Sequence, residues 1–497
     1  MSVETLADAL DVAVLEHSDH DAYVEGPLRL TFAEWGRAAD GLAAVLADRG
    51  VRQGDVVALM LPSSIDYAIC YAAAALLGAV TTGLNTRLGP DETGSVIAQC
   101  RPALVIRDTD LELPPLPHGT PVLARRELAT CYRQPGLGRR RRPRGSATDP
   151  AAIIWTSGTT GVPKGAWFDH RGLAAARITG GVLTARHDRR LTGTPFPHAG
   201  YMAKLWDQLA TGSTIVVSPS PWRAYDMLRQ LIDEDITVAG GVPTQWAKLL
   251  EVPGIDRVRL PRLRLGVSAT APAPPELVER VARTLGCPLV VRYAMTESPS
   301  ITGTDPADPP EVQYRTVGRP QSGVEIAIRD EDGKPLPDGE VGRIHLRSPC
   351  AMRGYWNAPE LTAAALDPDG WLTTGDLGHL TPDGNVTLAG RAGDLYIRGG
   401  YNVYPMEVEH VLAGHPAVDR VAVVGATAPV IGEIGVAFVV PADPARPPTL
   451  DELRALVRGR LADYKAPDRL EVVTELPLTP LLKTDKRALR ARAEGQL

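Results

Sequence analysis

The chain has 497 residues, 44% of them hydrophobic and 23% charged, with a formal net charge of -6. That is ample apolar material for large cores and an ordinary globular charge content, which argues against global disorder; the length predicts about three domain-sized units, or one large domain with a smaller one. The modest negative charge argues against a nucleic-acid protein that binds through a basic surface.

Thr31 to Arg49 carries apolar residues at helical spacing (Phe32, Trp35, Ala38, Leu42, Val45, Leu46). Asp55 to Leu61 reads as a short apolar strand, and Pro62-Ser63-Ser64 supplies capping residues for the next helix. Tyr67 to Leu84 is free of charge, but it is rich in Ala, Gly and Thr, whereas a spanning helix needs ~20 strongly apolar residues. A buried helix running through Gly78 into a strand is expected there, and no membrane span. A further strand is expected at Ala103 to Ile106. Strand, helix and strand at this spacing predict an α/β protein with parallel or mixed sheets flanked by helices.

Pro114 to Pro150 is broken by Pro, Gly and Arg and is expected to hold connectors. Its basic run, Arg139-Arg140-Arg141-Arg142-Pro143-Arg144, is read as an exposed connector, since charge runs are usually solvated. Strands resume near Ala151 to Trp155, Ser213 to Ser218 and Leu289 to Val291. After about Asp376 the pattern changes to short strands and hairpin turns such as Thr381-Pro382-Asp383-Gly384-Asn385. The last hundred or so residues suit a small α+β domain, with strands at Val418 to Val424 and Gly435 to Val440 and a helix from Leu450 to Leu461.

Cys70, Cys100, Cys131, Cys287 and Cys350 form no CxxC pair or Cys/His cluster, which predicts free thiols and a cytoplasmic setting. The N-terminus has no basic segment followed by an apolar run, so no secretory signal is expected.

The densest local signal is Ile153-Ile154-Trp155-Thr156-Ser157-Gly158-Thr159-Thr160-Gly161-Val162-Pro163-Lys164-Gly165. A short apolar strand runs into four hydroxyl residues, three glycines and one lysine. Glycines let backbone N–H groups approach anionic oxygens, hydroxyls add donors, and Lys adds charge, so the segment reads as a polyphosphate cradle. It is not G-x-x-x-x-G-K-[ST]: Pro163 stands where the second Gly of that motif belongs.

Four more segments follow in order: Arg292-Tyr293-Ala294-Met295-Thr296-Glu297, Gly370-Trp371-Leu372-Thr373-Thr374-Gly375-Asp376, Gly390-Arg391-Ala392-Gly393-Asp394 and Leu482-Lys483-Thr484-Asp485-Lys486. With the Gly-rich loop, the chain closely resembles the adenylate-forming superfamily, which includes acyl-CoA synthetases, peptide-synthetase adenylation domains and beetle luciferase. The resemblance spans nearly the whole chain, from Leu30-Thr31-Phe32 to Arg490, and is greatest to acyl-CoA synthetases.

The resemblance implies a large N-terminal adenylation domain, residues 1–391, and a small mobile C-terminal domain, residues 392–497. It implies ATP and Mg²⁺, and CoA as the expected acceptor. Thr156, Ser157, Gly158, Thr159, Thr160 and Lys164 would hold the β- and γ-phosphates, Tyr293 would stack on adenine, and Thr296 would meet the α-phosphate. Glu297 would hold Mg²⁺, Asp376 and Arg391 would take the ribose, and Lys483 would bridge the acid and the α-phosphate. The turn Gly399-Gly400-Tyr401 resembles a pantetheine-tunnel segment, and His198 matches a position that gates the acid pocket. By position, Tyr201, Met202, Lys204, Trp246, Val267, Ser268 and Arg292 line or support that pocket. A buried Lys204 would favour a second anionic or polar group on the acid; a solvated helix position is the competing reading.

Departures from the family pattern are Gly393 at the hinge, Leu482 before the catalytic Lys and Ala294 after Tyr293. The first two touch the second half-reaction, so three readings stand: an AMP-forming acyl- or aryl-CoA ligase; an adenylating enzyme with another acceptor or acid, such as carrier-protein loading, amide formation or nitrite-dependent diazotisation; and a non-catalytic relative.

Overall fold

The computed structural model describes residues 3–117, 119–138, 142–156, 163–271, 273–399, 401–479 and 483–495. Its centre is the helix Ile65–Leu76, started by Ser64, whose hydroxyl accepts from the Tyr67 N–H. Every residue from Tyr67 to Leu76 is buried. A helix with no polar face has to be covered all round, and the helices Leu6–Glu16 and Phe32–Asp48 do this here together with strands of two sheets. The structure ends this helix before Gly78 and resumes as the strand Val80–Gly83, as the apolar stretch predicts. Among the described residues no helix is long and apolar enough to cross a membrane.

One sheet has the order Gly354–Tyr355, Lys164–Asp169, Pro150–Thr156, Val80–Gly83, Val56–Met60, Leu104–Arg107 and Val122–Ala124. From Pro150–Thr156 onward its strands are parallel, while Lys164–Asp169 and Gly354–Tyr355 run antiparallel at the other edge. The second sheet runs Arg319–Pro320, Ser298–Gly303, Leu289–Met295, Leu265–Ser268, Val238–Gly241, Arg189–Leu191, Thr214–Val216, Asp21–Glu25 and Leu28–Thr31. Parallel strands buried on both faces read as continuous apolar runs, as Val56–Met60 does.

A four-stranded antiparallel sheet follows, Glu325–Arg329, Gly342–Arg347, Leu372–Leu380 and Val386–Arg391. The change of character therefore begins near residue 325, earlier than the turn signals after Asp376 suggest. Beyond Arg391 a separate sheet joins Tyr401–Val403, Tyr396–Arg398, Gly432–Pro441 and Val418–Ala428, with Arg469–Val472 paired to Gly432–Pro441. Apolar clusters from Tyr396 to Ala493 are packed apart from the main one, which runs from Leu6 to Val386.

Two expectations need correction. The stretch read as connectors holds the strand Val122–Ala124 and the helix Arg125–Cys131; the strand is only three residues long and is made by pairing with Leu104–Arg107. Arg142 is not a free surface charge, because its guanidinium pairs with Asp11 at 2.8 Å and Asp40 at 2.9 Å. Residues 139–141 of the basic run lie outside the described residues. The five cysteines are free and buried.

Gly83 ends the strand that leads to the site. A Cβ there would lie 2.7 Å from Cα of Pro197, beside His198. We expect Gly83→Ala to destabilise the protein by ~1–3 kcal/mol, the usual effect of overpacking, read as a lower urea midpoint.

Candidate active site

The strands Pro150–Thr156 and Lys164–Asp169 bracket the Gly-rich loop, with Thr156 paired to Lys164. Their base is fixed: Trp155 Nε1 donates to Thr82 Oγ1 at 2.7 Å, Thr82 Oγ1 to Ile153 O at 3.1 Å, and Gln99 Nε2 to Pro163 O at 3.1 Å. A Cβ on Gly165 would lie 2.8 Å from the Ile153 side chain, so Gly is needed for the two strands to close. Ser157, Gly158, Thr159 and Thr160, like Gly400 and Leu482, lie outside the described residues.

Tyr293, distant in the chain, and Arg391, from the neighbouring strand, converge on Asp376. Its Oδ2 accepts from the Tyr293 hydroxyl at 2.6 Å, and Arg391 Nε lies 3.0 Å from its Oδ1. Its own N–H donates to Thr374 Oγ1 at 3.0 Å. Asp376 and Arg391 are register partners across the last hairpin of the four-stranded sheet, while Tyr293 comes from the nine-stranded one. Ala392 N–H donates to Gly375 O at 3.0 Å, and Gly375 takes φ +75°, a backbone region that favours glycine.

Lys483, from the C-terminal region, is buried within electrostatic reach of Asp376 and Arg391. Its backbone is held by Thr479, which receives the Lys483 N–H on Oγ1 at 3.3 Å and donates its own N–H to Lys483 O at 2.7 Å. Burial pulls the Lys483 ammonium below its ordinary pKa, Arg391 acts in the same direction, and Asp376 opposes both. His198 is near enough to feel the Lys483 charge, and its Nε2 is 3.1 Å from Asn85 Nδ2. Burial first, and then the Lys483 charge, push His198 down to about 4.

Glu297 is 8% exposed, and its Oε1 accepts from the Tyr355 hydroxyl at 2.8 Å. Among the described residues no Lys, Arg or His forms an ion pair with it. A buried carboxylate without a basic partner is unfavourable unless a cation joins it, so the site fits a divalent metal. No three His, Cys, Asp or Glu side chains among the described residues are grouped to hold one. Mg²⁺ commonly binds through one or two carboxylates plus water and phosphate oxygens, which needs no such cluster. Thr296 is half-buried in the turn before Glu297.

The proposed acid-pocket residues divide into two groups. Tyr201 does not line the pocket: it is buried, its ring stacks on Phe196 at 3.7 Å and its hydroxyl is 2.7 Å from that of Tyr23. Trp246 is also core, with Nε1 donating to Val267 O at 3.1 Å, so it supports the ends of the strands. Arg292 is buried, bonded through Nη2 to Gly180 O, with Nε unpartnered; burial lowers it to about 10. The Ser268 hydroxyl is buried and unpartnered as well.

Lys204 is enclosed by protein yet keeps part of its surface open, as a side chain lining a cleft does. This rules out the solvated helix face. Burial lowers its pKa, Cys350 and Asp207 raise it, and Arg292 and Arg190 lower it further. Asp207 is engaged by Arg190 at 2.5 Å. Gly399 lies on the hairpin between Tyr396–Arg398 and Tyr401–Val403, its N–H bonded to Ile431 O at 2.9 Å, away from the Lys483 cleft contacts.

Asn85 and Tyr355 were not found by sequence reasoning. Neither lies in the recognised motifs, and the only signal was the aromatic pair in Gly354-Tyr355-Trp356-Asn357.

The chain belongs to the AMP-binding enzymes: residues 10–356 match the AMP-binding enzyme family and residues 407–483 its C-terminal domain. It is 34% identical to the feruloyl-CoA synthase of an Amycolatopsis species, over 94% of each chain. Among solved structures it resembles the amide bond synthetase McbA of Marinactinospora thermotolerans (30% identity, TM-score 0.86, 98% of this chain and 99% of that one). It also resembles the anthranilate CoA ligase AuaEII in complex with anthranoyl-AMP (26% identity, TM-score 0.90, 99% and 98% of the two chains). The protein is thus an enzyme of the acyl- and aryl-CoA ligase family, whose neighbours are adenylate-forming.

The depressed His198 pKa has a defined pH consequence. Unfolded, a histidine titrates near 6.5; folded, His198 stays neutral down to about 4. Between those values the unfolded chain binds a proton that the folded one refuses. This contribution to stability is therefore fully present above pH ~6.5 and declines, by up to ~3 kcal/mol, as pH falls toward 4. We expect His198→Gln to flatten the dependence of the urea midpoint between pH 7 and pH 5. His170, also lowered to about 4, remains in both proteins with His17, His187, His345 and His410, which are lowered as well, and together they supply the residual slope.

Proposed function

We propose that this enzyme activates a carboxylic acid as its acyl-AMP, releasing pyrophosphate, and then transfers the acyl group to the thiol of CoA. The observation that carries the reading is Lys483, buried beside Asp376 and Arg391 and facing His198, with no carboxylate ion pair of its own among the described residues. An ammonium held there supplies positive charge where the acid and the α-phosphate meet. In the first step a carboxylate oxygen attacks the α-phosphorus and pyrophosphate leaves. Lys483 and Lys164 stabilise the accumulating negative charge, and positioning does most of the work. Asp376, set by Tyr293 and Arg391, accepts from the ribose hydroxyls. A Mg²⁺ ion held by Glu297 would neutralise phosphate charge when bound.

In the second step the CoA sulfur attacks the acyl carbonyl and AMP leaves. This requires Lys483 to withdraw and the Gly399 hairpin to replace it. Residues 392–497 would rotate as a unit about the segment after Arg391, a hinge closure. The separate packing of the Tyr396 to Ala493 clusters supports that division, and Gly393, with open space around it, supports the hinge.

The acid is one that carries a second anionic or hydrogen-bond-accepting group. Lys204 and Arg292 present two cations, and neither has a carboxylate ion pair among the described residues. Such a pair is stabilised by a substrate that brings its own negative charge. Amide formation is the second reading, favoured by the likeness to the amide bond synthetase; an amine would then replace CoA in the second step.

ATP–pyrophosphate exchange without CoA tests the first step. Exchange should be seen with dicarboxylic acids or aromatic acids bearing a second polar group rather than with plain monocarboxylates, and Lys204→Met should narrow that preference about tenfold or more. Exchange with nitrite alone would replace the carboxylic-acid reading with diazotisation. Lys483→Ala should abolish exchange yet leave the reaction of a supplied acyl-AMP with CoA largely intact. Equal loss of both steps would reject the alternation of Lys483 with the hairpin, and reaction of acyl-AMP with amines but not with CoA would establish the second reading.

A further inference from the structure

The strand Gly354–Tyr355 lies at the edge of the seven-stranded sheet, where it touches both halves of the phosphate-binding apparatus. It pairs with the strand that begins at Lys164, with Tyr355 opposite Ala166. Trp356 N–H donates to Gly165 O at 2.7 Å, and Met352 N–H donates to Glu297 O at 2.7 Å. Residues 352–356 therefore link the turn carrying Glu297 to the strand carrying Lys164 through backbone bonds alone.

The side chain of Tyr355 makes the same connection a second time. Its hydroxyl donates to Glu297 Oε1 at 2.8 Å, and the Lys164 ammonium lies 5.5 Å from the centre of its ring, within the range of a cation–π contact. Its own N–H is fixed by Thr362 Oγ1 at 2.9 Å, and the residue is 8% exposed. The Glu297 carboxylate accepts no other hydrogen bond from a described residue.

We infer that Tyr355 is a positioning residue for the metal-binding carboxylate: by donating to Oε1 it fixes the carboxylate plane and leaves Oε2 for the cation, in register with Lys164. This rests on the proposed role of Glu297. The chemistry is that of an outer hydrogen-bond partner of a ligating carboxylate, whose loss commonly lowers metal affinity about 10–100-fold.

The test is calorimetric titration of the full-length protein with ATP, in EDTA and in excess Mg²⁺, for the wild type, Tyr355→Phe and Glu297→Gln. Phe keeps the ring under Lys164 and removes only the donor. We expect Tyr355→Phe to leave the metal-free ATP affinity unchanged. The gain in ATP affinity on adding Mg²⁺ should shrink about tenfold, and the Mg²⁺ concentration for half-maximal pyrophosphate exchange should rise while the rate at saturating Mg²⁺ is retained. Glu297→Gln should lose the Mg²⁺-dependent gain. A wild-type gain in Tyr355→Phe alongside its loss in Glu297→Gln overturns the inference about Tyr355 while leaving Glu297 as the ligand. Equal weakening of metal-free and Mg²⁺-bound ATP by Tyr355→Phe also overturns it, since that is the mark of a merely structural residue. A wild-type gain in Glu297→Gln overturns the metal role of Glu297 and the inference with it.

Discussion

Asp376 ties three parts of the chain together. Its carboxylate accepts from Tyr293 at the end of the nine-stranded sheet, pairs with Arg391 across its own hairpin, and faces Lys483 from the C-terminal region. Each of these contacts spans many residues of sequence, and each ends on the same buried group. Losing any one would leave a charge or a donor unmatched in a site shielded from water, where an unpaired polar atom is costly. The backbone bond from Ala392 to Gly375 lies next to Asp376, where the chain passes from one part to the other.

Around the junction the pairing of charge is incomplete. Glu297 has a hydroxyl partner but no cation; Lys204 and Arg292 have no carboxylate ion pair; Lys483 is pulled toward neutrality by burial. Groups held this way are poorly satisfied by the protein itself and well satisfied by a metal, a polyphosphate and an anionic substrate. Perturbed ionisable groups of this kind gather at functional sites. The large-scale architecture supports them from below. The helix Ile65–Leu76, buried from Tyr67 on, packs among helices and strands of both sheets, and the strand after it leads to Asn85, which meets His198.

What was legible in the sequence was short in range. The Gly-rich loop, the helix opened by Ser64 and the hairpin around Asp383-Gly384 each depend on residues a few positions apart, so local patterning reveals them. Side-chain direction was less readable. Tyr201 and Trp246 lie in segments that pass the pocket, but a few tens of degrees of helix rotation decide whether a ring faces the cleft or the core, and both face the core. The strand Val122–Ala124 was hidden because its three residues are held by the strand beside them rather than by their own propensity.

The sequence alone determined the adenylate-forming family, the order of its motifs and the identities of Lys164, Glu297, Asp376, Arg391 and Lys483. Such chemistry needs particular groups, and the groups are written in the chain. Only the tertiary structure decided what surrounds them: that Lys204 is enclosed rather than solvated, that Tyr201 belongs to the core, that Arg142 clamps Asp11 and Asp40, and that Tyr355 reaches Glu297. Burial and partnership are properties of packing among residues far apart in sequence. The same lysine or tyrosine is a surface group or a functional one according to what the fold places beside it.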